Sequence, residues 1–259
     1  MRKLLIFFMK VAKTVLGVSK RACSDAVLAE LGWLTDALRA DLAFLQHLRR
    51  TAALPPVTLS KRLLEGALQA QPGARPTFLV RAEKIANEVG LDLDEALAHG
   101  AKQRLKRHFT IYAHKRWRAR AEQQPAMLPY LSLKAWGMQP YLTIPPFRGR
   151  VLLTKVRIND LRLEETECHL CGPSVSLVKE TRAHFLFACP LREYDEIRMQ
   201  YSPLLPCIMD TAGDKLLRLV FPRDLSKKAV TVGNFLTDMW NARCVGLAKA
   251  GIQPTPWRS

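Results

Sequence analysis

The chain has 259 residues, of which 48% are hydrophobic, so it can fold around one large or two modest cores and is too apolar to be mostly disordered. Forty lysine and arginine residues against 23 acidic residues leave a net charge of +17, which favours a polyanionic partner, with nucleic acid as the first candidate. The charge is uneven: residues 1–150 hold 25 basic and 11 acidic side chains, whereas residues 151–259 hold 15 and 12.

The N-terminal sequence MRKLLIFFMKVAK contains an apolar run that Lys10 interrupts, and it lacks the small-residue cleavage site of a signal peptide. It therefore predicts a helix. No apolar run approaches the roughly 20 residues that a bilayer requires, so we expect no association with a membrane. We expect an intracellular protein of the nucleus or the cytoplasm.

Residues 1–56 are predicted to form an N-terminal helical unit. Thr35 can cap a helix, Gly32 separates that helix from a shorter one before it, and Pro55 and Pro56 end the unit. Leucines recur at helical spacing through the segment, which predicts a single apolar face made by Leu31, Leu34, Leu38, Leu42, Leu45 and Leu48.

Residues 57–124 are predicted to form a basic helical subdomain. Three short helices are expected up to residue 100, with Asp92 capping the last of them. The sequence AKQRLKRHFTIYAHKRWRARA then predicts a helix with eight Lys or Arg residues between positions 102 and 120 and no acid. On this helix one face is shared by Arg104, Arg107, His108, Lys115 and Arg118.

A run of like charges is often only a solvated face. Here the basic run is continuous, has no carboxylates within it at i+4 spacing, and includes two aromatic side chains that can stack on bases, so phosphate contact is the favoured interpretation. The predicted nucleic-acid-binding residues are Lys102, Arg104, Lys106, Arg107, Tyr112, Lys115, Arg116, Trp117, Arg118 and Arg120.

The second half of the chain is divided into three further segments. Residues 125–149 are predicted to be a proline-rich linker, and residues 201–259 a C-terminal helical tail. Between them, residues 150–200 begin with a helical pattern that we expect to carry Arg150, Lys155 and Arg157 toward a cluster of cysteines. The predicted fold class is mostly α, with small helical units followed by a CCHC zinc knuckle and a C-terminal helix.

Three of the six cysteines cluster with a histidine in the spacing C-x2-C-x12-H-x4-C, which favours a metal over disulfides. Zinc takes four sulfur or nitrogen ligands in a tetrahedron, so the pattern predicts a zinc site made by Cys168, Cys171, His184 and Cys189. Three buried thiols beside a core histidine are the alternative. His169 lies inside the knuckle and is excluded as a ligand. Four protein ligands leave no open position for water, so the zinc is predicted to be structural.

The sequence VRINDLRLEETECHLCGPSVSLVKETRAHFLFACPLREYDEIR resembles the cysteine and histidine motif near the C-terminus of non-LTR (LINE-type) retrotransposon reverse transcriptases. In that family a C-x2-C pair is followed by an acidic step, an HFLF-like run, CP and an arginine. The matching residues here are Cys168, Cys171, Glu180, Thr181, His184 to Phe187, Cys189, Pro190 and Arg198. The sequence VLGVSKRACSDAVLAELGWLTDALRADLAFLQHL is similar to the thumb or linker region that follows the polymerase core.

The resemblance implies a post-polymerase segment that grips template RNA or target DNA, with the catalytic part of a reverse transcriptase as a partner. The chain has no adjacent aspartates of the YxDD type and no recognisable nuclease pattern, so we expect no catalysis by this chain alone. In a second hypothesis the zinc is catalytic, with Glu180 or His169 as general base, but the H-x-E and P-C-x-x-C motifs of zinc deaminases are absent. In a third, the chain is a degenerate helical zinc scaffold that binds other proteins.

Overall fold

The helices of the protein were located in a computed structural model, which describes residues 2–124, 131, 137–144, 148–161, 163, 167–171, 178–205, 216, 218–220 and 225–253. In chain order they are α1 (Arg2–Leu16), α2 (Ser24–Leu31), α3 (Asp36–Ala52), α4 (Leu59–Gln69), α5 (Thr77–Glu88), α6 (Leu93–Leu97), α7 (Lys102–Ala121), α8 (Arg148–Arg157), α9 (Arg192–Gln200) and α10 (Leu225–Lys249). Short 3-10 turns lie at Pro72–Ala74 and Pro140–Thr143, and a π-helical turn at His184–Ala188.

The described residues are mostly helical, and their β pairing is limited to two isolated bridges, Leu31 with Met138 and Glu167 with Lys179. The predicted mostly-α fold class is confirmed. None of the helices in these residues is both long and apolar enough to cross a bilayer.

The chain divides into two compact units. Unit 1 comprises Met1–Leu5 and Leu34–Gln123, and unit 2 comprises Ile6–Trp33 and Gln124–Ser259. This division does not follow the predicted boundary at residue 56, because α3 contacts the helices that follow it along the chain. Most of the predicted linker 125–149 lies outside the described residues.

Unit 1 is built around α3, which contacts α4, α5, α6 and α7. The cap at Thr35 is confirmed, since its hydroxyl accepts a hydrogen bond from the Leu38 backbone N–H at 3.4 Å. The predicted single leucine face is correct only from Leu38 onward, because α3 begins at Asp36. Leu31 belongs to a different helix, α2. Asp92 forms a capping box at the start of α6, in which its carboxylate accepts from the Glu95 N–H at 2.7 Å.

Unit 2 has its core where α8 lies against α10. The two helices approach closely at Gly149, because a Cβ atom there would lie 2.2 Å from the backbone of Gly233. Large apolar side chains fill the surrounding core, among them Tyr141, Leu152, Leu153, Phe185, Tyr194, Phe235, Met239 and Trp240. Gly32 ends α2 in the left-handed conformation with φ of 63°, as its predicted position between two helices requires.

A buried ion pair joins α2 to α8 inside unit 2. Arg157 donates from Nε to Glu30 at 3.0 Å, and both side chains are almost fully buried. The guanidinium also donates to the Gln139 side chain at 2.9 Å and to the carbonyl of Val220. The expectation that Arg157 extends toward the cysteines is therefore wrong, because its donors are used by groups in the core.

Candidate metal centre and basic helix

The four side chains predicted as metal ligands lie together in unit 2. The Sγ atoms of Cys168, Cys171 and Cys189 and a ring nitrogen of His184 all lie within 4.8 Å of one another, and the four residues are buried. Cys189 Sγ is 3.9 Å from Cys168 Sγ and 3.8 Å from Cys171 Sγ. Zinc–sulfur bonds of about 2.3 Å in a tetrahedron place the sulfurs about 3.8 Å apart. This group, the CCHC cluster, is therefore positioned to hold a metal ion.

The first two cysteines are held by a short antiparallel contact. A bridge pairs Glu167 with Lys179, and the Cys168 N–H donates to the Val178 carbonyl at 2.8 Å. The Cys171 N–H donates back to the Cys168 carbonyl at 3.3 Å, which closes a tight turn between the two cysteines. Both sulfurs consequently point from one turn into one site.

The other two ligands are brought together by the π-helical turn. The Cys189 N–H donates to the carbonyl of His184 at 2.8 Å, a bond between residues five apart. In an α-helix a fifth residue lies about 140° around the axis from the first, but the wider π turn returns it to nearly the same side. Thr181 fixes the start of this turn, since its hydroxyl accepts from the His184 N–H at 3.1 Å.

Two arginines support the CCHC cluster from outside. Arg198 donates to the carbonyls of Leu186 at 3.0 Å and Cys189 at 2.9 Å, so it holds the backbone at the C-terminal end of the π turn. Arg243 of α10 makes a buried two-pronged pair with Glu180, at 2.6 and 2.7 Å. In the sequence, Arg198 stands out only through the resemblance to the retrotransposon motif. The sequence gives no signal for Arg243, because 63 residues separate it from Glu180.

The three thiols do not share charge equally. A hydrogen bond with Cys189 lowers the pKa of Cys168 to about 4, and the same contact together with burial raises the pKa of Cys189 far above its ordinary value. Burial also raises the pKa of Cys171. These shifts disfavour more than one thiolate in the cluster, and a positive charge among the sulfurs would favour further deprotonation. A divalent metal ion supplies that charge and binds thiolate and imidazole donors together.

Two residues next to the CCHC cluster, His169 and Glu180, were considered for a role as metal ligand or general base. His169 is exposed and does not belong to the CCHC cluster, in agreement with its predicted exclusion as a ligand. Glu180 is 2% exposed and both of its oxygens accept from Arg243. A carboxylate held in this way is poorly suited to act as a general base, so the hypothesis of catalytic zinc finds no support in the geometry.

The predicted basic helix exists as α7 of unit 1 and is exposed along most of its length. Its core-facing side is a stripe at four-residue spacing, made by Leu105, Phe109, Ala113, Trp117 and Ala121. Seven of the eight basic side chains are exposed, namely Lys102, Arg104, Lys106, Arg107, Lys115, Arg116 and Arg118, and Arg120 is half-buried. Helical spacing places four of them, Arg104, Arg107, Lys115 and Arg118, on one side, which we call the basic face.

Two predictions about α7 need correction. Trp117 is 1% exposed, so its ring packs in the core of unit 1 and cannot stack on a base. The basic face is also partly neutralised, because Arg118 pairs with Glu122 at 3.0 Å and Arg104 lies 3.9 Å from Glu95. Tyr112 is half-buried, with Arg116 over its ring at 5.6 Å.

Comparison with known proteins adds no relative: no family model, curated protein or solved structure matches this chain.

Proposed function

We propose that the chain is a nucleic-acid-binding module whose second unit is stabilised by a structural zinc ion. The observation that carries the nucleic-acid proposal is the exposed charge of α7. Among the described residues, no carboxylate forms a salt bridge with Lys102, Lys106, Arg107 or Lys115. Exposed cations without internal partners are available to phosphates, which bind them with release of counterions.

Zinc is the metal that the donor set favours. Three thiolates and one imidazole match the ligands of structural zinc sites, and the sulfur spacing matches its bond length. With four protein ligands no position is left for a reacting water, which supports a structural role. The resemblance to LINE-type reverse transcriptases supports the same assignment, and it makes template RNA or target DNA the proposed ligand and the polymerase part of such an enzyme a proposed partner.

The first prediction concerns the metal. Purified protein is expected to contain one equivalent of zinc, measured by elemental analysis after gel filtration. The double variant Cys168→Ser, Cys189→Ser is expected to lose it, because a hydroxyl is a poor replacement for a thiolate in a zinc site. The matched control is Cys23→Ser, Cys244→Ser, which removes two cysteines outside the CCHC cluster and should keep the full equivalent. Zinc below half an equivalent in the parent contradicts the proposal.

The second prediction concerns α7. Replacing the four residues of the basic face with alanine is expected to reduce the slope of log K against log salt by about 2 to 4 on duplex DNA, since each phosphate contact contributes about 0.9. The lower limit applies if the partly neutralised Arg104 and Arg118 contribute nothing. The loss should be similar for all sequences, because phosphates carry no base identity. Fluorescence anisotropy at four or more salt concentrations measures the slope.

The control for that experiment removes the same charge from elsewhere in unit 1. Arg39, Arg50, Arg62 and Lys84 are exposed and lie outside α7, so their fourfold alanine variant has the same net charge as the basic-face variant. It should retain the parent's slope to within about one unit. Equal slopes for the parent and the basic-face variant would leave α7 as a solvated surface.

A protein-binding scaffold is the second candidate function, and exposed apolar side chains favour it. Val57 is 88% exposed, and Leu59 and Leu63 of α4, one turn apart, are 69% and 65% exposed. Exposed apolar patches often mark interaction sites. Full zinc occupancy together with no binding of RNA or DNA oligonucleotides at low salt would favour this second function over the first.

A further inference from the structure

We propose that a cleft beside α7 is a phosphate site that takes one nucleotide of a bound strand, an inference that rests on the proposed nucleic-acid function. The cleft lies within unit 1, between the turn that follows α5, the helix α6 and the first two turns of α7. Its volume is about 690 Å³, within the range of roughly 300 to 1,000 Å³ that is typical of small-molecule sites. We call it the α7 cleft.

One wall of the cleft is formed by four side chains on two successive turns of α7, namely Gln103, Arg104, Arg107 and His108. Both arginines and the glutamine carry N–H donors, and a guanidinium can bind a phosphate through two parallel hydrogen bonds. Arg107 is exposed and makes no ion pair with the described residues. Its charge is therefore available inside the cleft without breaking an internal contact.

The turn that follows α5 contributes Gly90 to the cleft lining. This residue has φ of +79°, a conformation that glycine adopts without strain, and a Cβ atom there would lie 3.9 Å from Nδ1 of His108. His108 is oriented by its contact with the Val89 carbonyl at 3.1 Å, which can only accept and so requires the proton on Nδ1.

Glu95 supplies the single carboxylate of the cleft lining. It lies 3.9 Å from Arg104 and also takes part in the capping box of α6. Two guanidinium groups against one carboxylate leave a net positive charge. A singly or doubly charged phosphate matches that charge, whereas a cationic or neutral ligand does not. The shared chemistry is a phosphate ester, either an internal phosphodiester or a terminal phosphomonoester.

The test separates occupation of the cleft from general attraction to the basic face. The probe is a fluorescein-labelled 12-nucleotide oligo(U), titrated by anisotropy at one low salt concentration. Gln103→Phe replaces a polar donor of the cleft wall with an apolar ring without changing the net charge, and Thr110→Phe places the same ring at an exposed position of α7 outside the cleft. We expect about a tenfold loss of affinity for Gln103→Phe and less than about twofold for Thr110→Phe.

A second pair compares charges. Arg107→Ala removes a cation inside the cleft, and Lys115→Ala removes an equally exposed cation outside it. The cleft predicts about a tenfold loss for the first and about two- to threefold for the second, because a charge-assisted bidentate contact exceeds a single screened one. Competition by uridine monophosphate against the dinucleotide UpU then shows whether a monoester or a diester occupies the site. Displacement of the probe by neither at millimolar concentration contradicts the site.

The outcomes distinguish the cleft from the function on which it rests. If the parent binds oligo(U) and the two members of each pair lose affinity equally, the nucleic-acid function stands and the cleft is refuted. If the parent fails to bind oligo(U), the function fails and the cleft falls with it. Circular dichroism of every variant confirms that unit 1 is folded, which all four exposed substitutions are expected to preserve.

Discussion

Removal of the proposed zinc ion by a chelator is expected to unfold unit 2. The CCHC cluster joins a turn at Cys168 to the π turn at His184 and Cys189, and the three cysteines belong to the same core as Phe185, Tyr194 and Trp240. Structural zinc contributes about 10 to 16 kcal/mol in small zinc-finger peptides. Unit 2 has a larger apolar core of its own, so its loss of stability is expected to be smaller, but comparable to the roughly 5 to 15 kcal/mol by which most domains are stable.

Hydrogen exchange measures this outcome region by region. With excess EDTA, the amides of α8, α9 and α10 should lose protection, whereas those of α3, α5 and α7 in unit 1 should keep theirs. The near-ultraviolet circular dichroism of Trp240, which is buried beside Phe185, should disappear with the metal. Restoring zinc should restore both. Unchanged protection of α10 in protein shown to be free of metal would mean that the cluster is only a group of buried thiols.

The grouping of the four candidate ligands could be predicted from the sequence because their spacing is a local property. A C-x2-C pair and a returning histidine and cysteine are visible in 22 residues, from Cys168 to Cys189. What the spacing does not reveal is how His184 and Cys189 share a side, since five residues is a poor match to a turn of about 3.6. The π turn solves that problem, and nothing in the residues HFLFA predicts it in preference to an α turn.

The burial of Trp117 could have been predicted. It belongs to a four-residue repeat with Leu105, Phe109 and Ala113, and such a repeat is typical of the side of a helix that faces a core. Its aromatic ring suggested base stacking because it lies among arginines. The four-residue spacing to other apolar side chains predicts burial better than the neighbouring arginines predict exposure. Whether a helical side chain packs in the core depends on the side of the helix on which it lies, and not on the residues next to it in sequence.

The pairing of Glu30 with Arg157 could not have been predicted, because 127 residues separate them and charged side chains are rarely buried. Their burial depends on a network that the fold assembles. Tyr141 donates to Glu30 at 3.0 Å and contacts Thr154 Oγ1 at 3.0 Å, and burial raises the pKa of this tyrosine well above its ordinary value, so it stays protonated. Every strong hydrogen-bonding group near the pair thus has a partner.

Replacing Arg157 with methionine is therefore expected to destabilise unit 2 by about 3 to 5 kcal/mol, because it leaves the carboxylate of Glu30 buried without its countercharge. The double variant Glu30→Gln, Arg157→Met removes both charges and keeps an oxygen for the Tyr141 hydroxyl. It should be more stable than Arg157→Met alone, because no unpaired charge is left buried. Arg192→Met, which removes an arginine that is 90% exposed, is the control and should change stability by less than about 1 kcal/mol.

Urea unfolding followed by tryptophan fluorescence compares the three variants with the parent at constant zinc concentration. The single and double variants differ in one group only, the residue at position 30, so a higher midpoint for the double variant isolates the cost of an unpaired buried carboxylate. If Arg157→Met unfolds at the same urea concentration as the parent, Glu30 is either protonated or reached by water, and the pair is not an essential part of the core of unit 2. If both variants are equally destabilised, the loss comes from the donors that Arg157 gives to Gln139 and Val220 and not from charge.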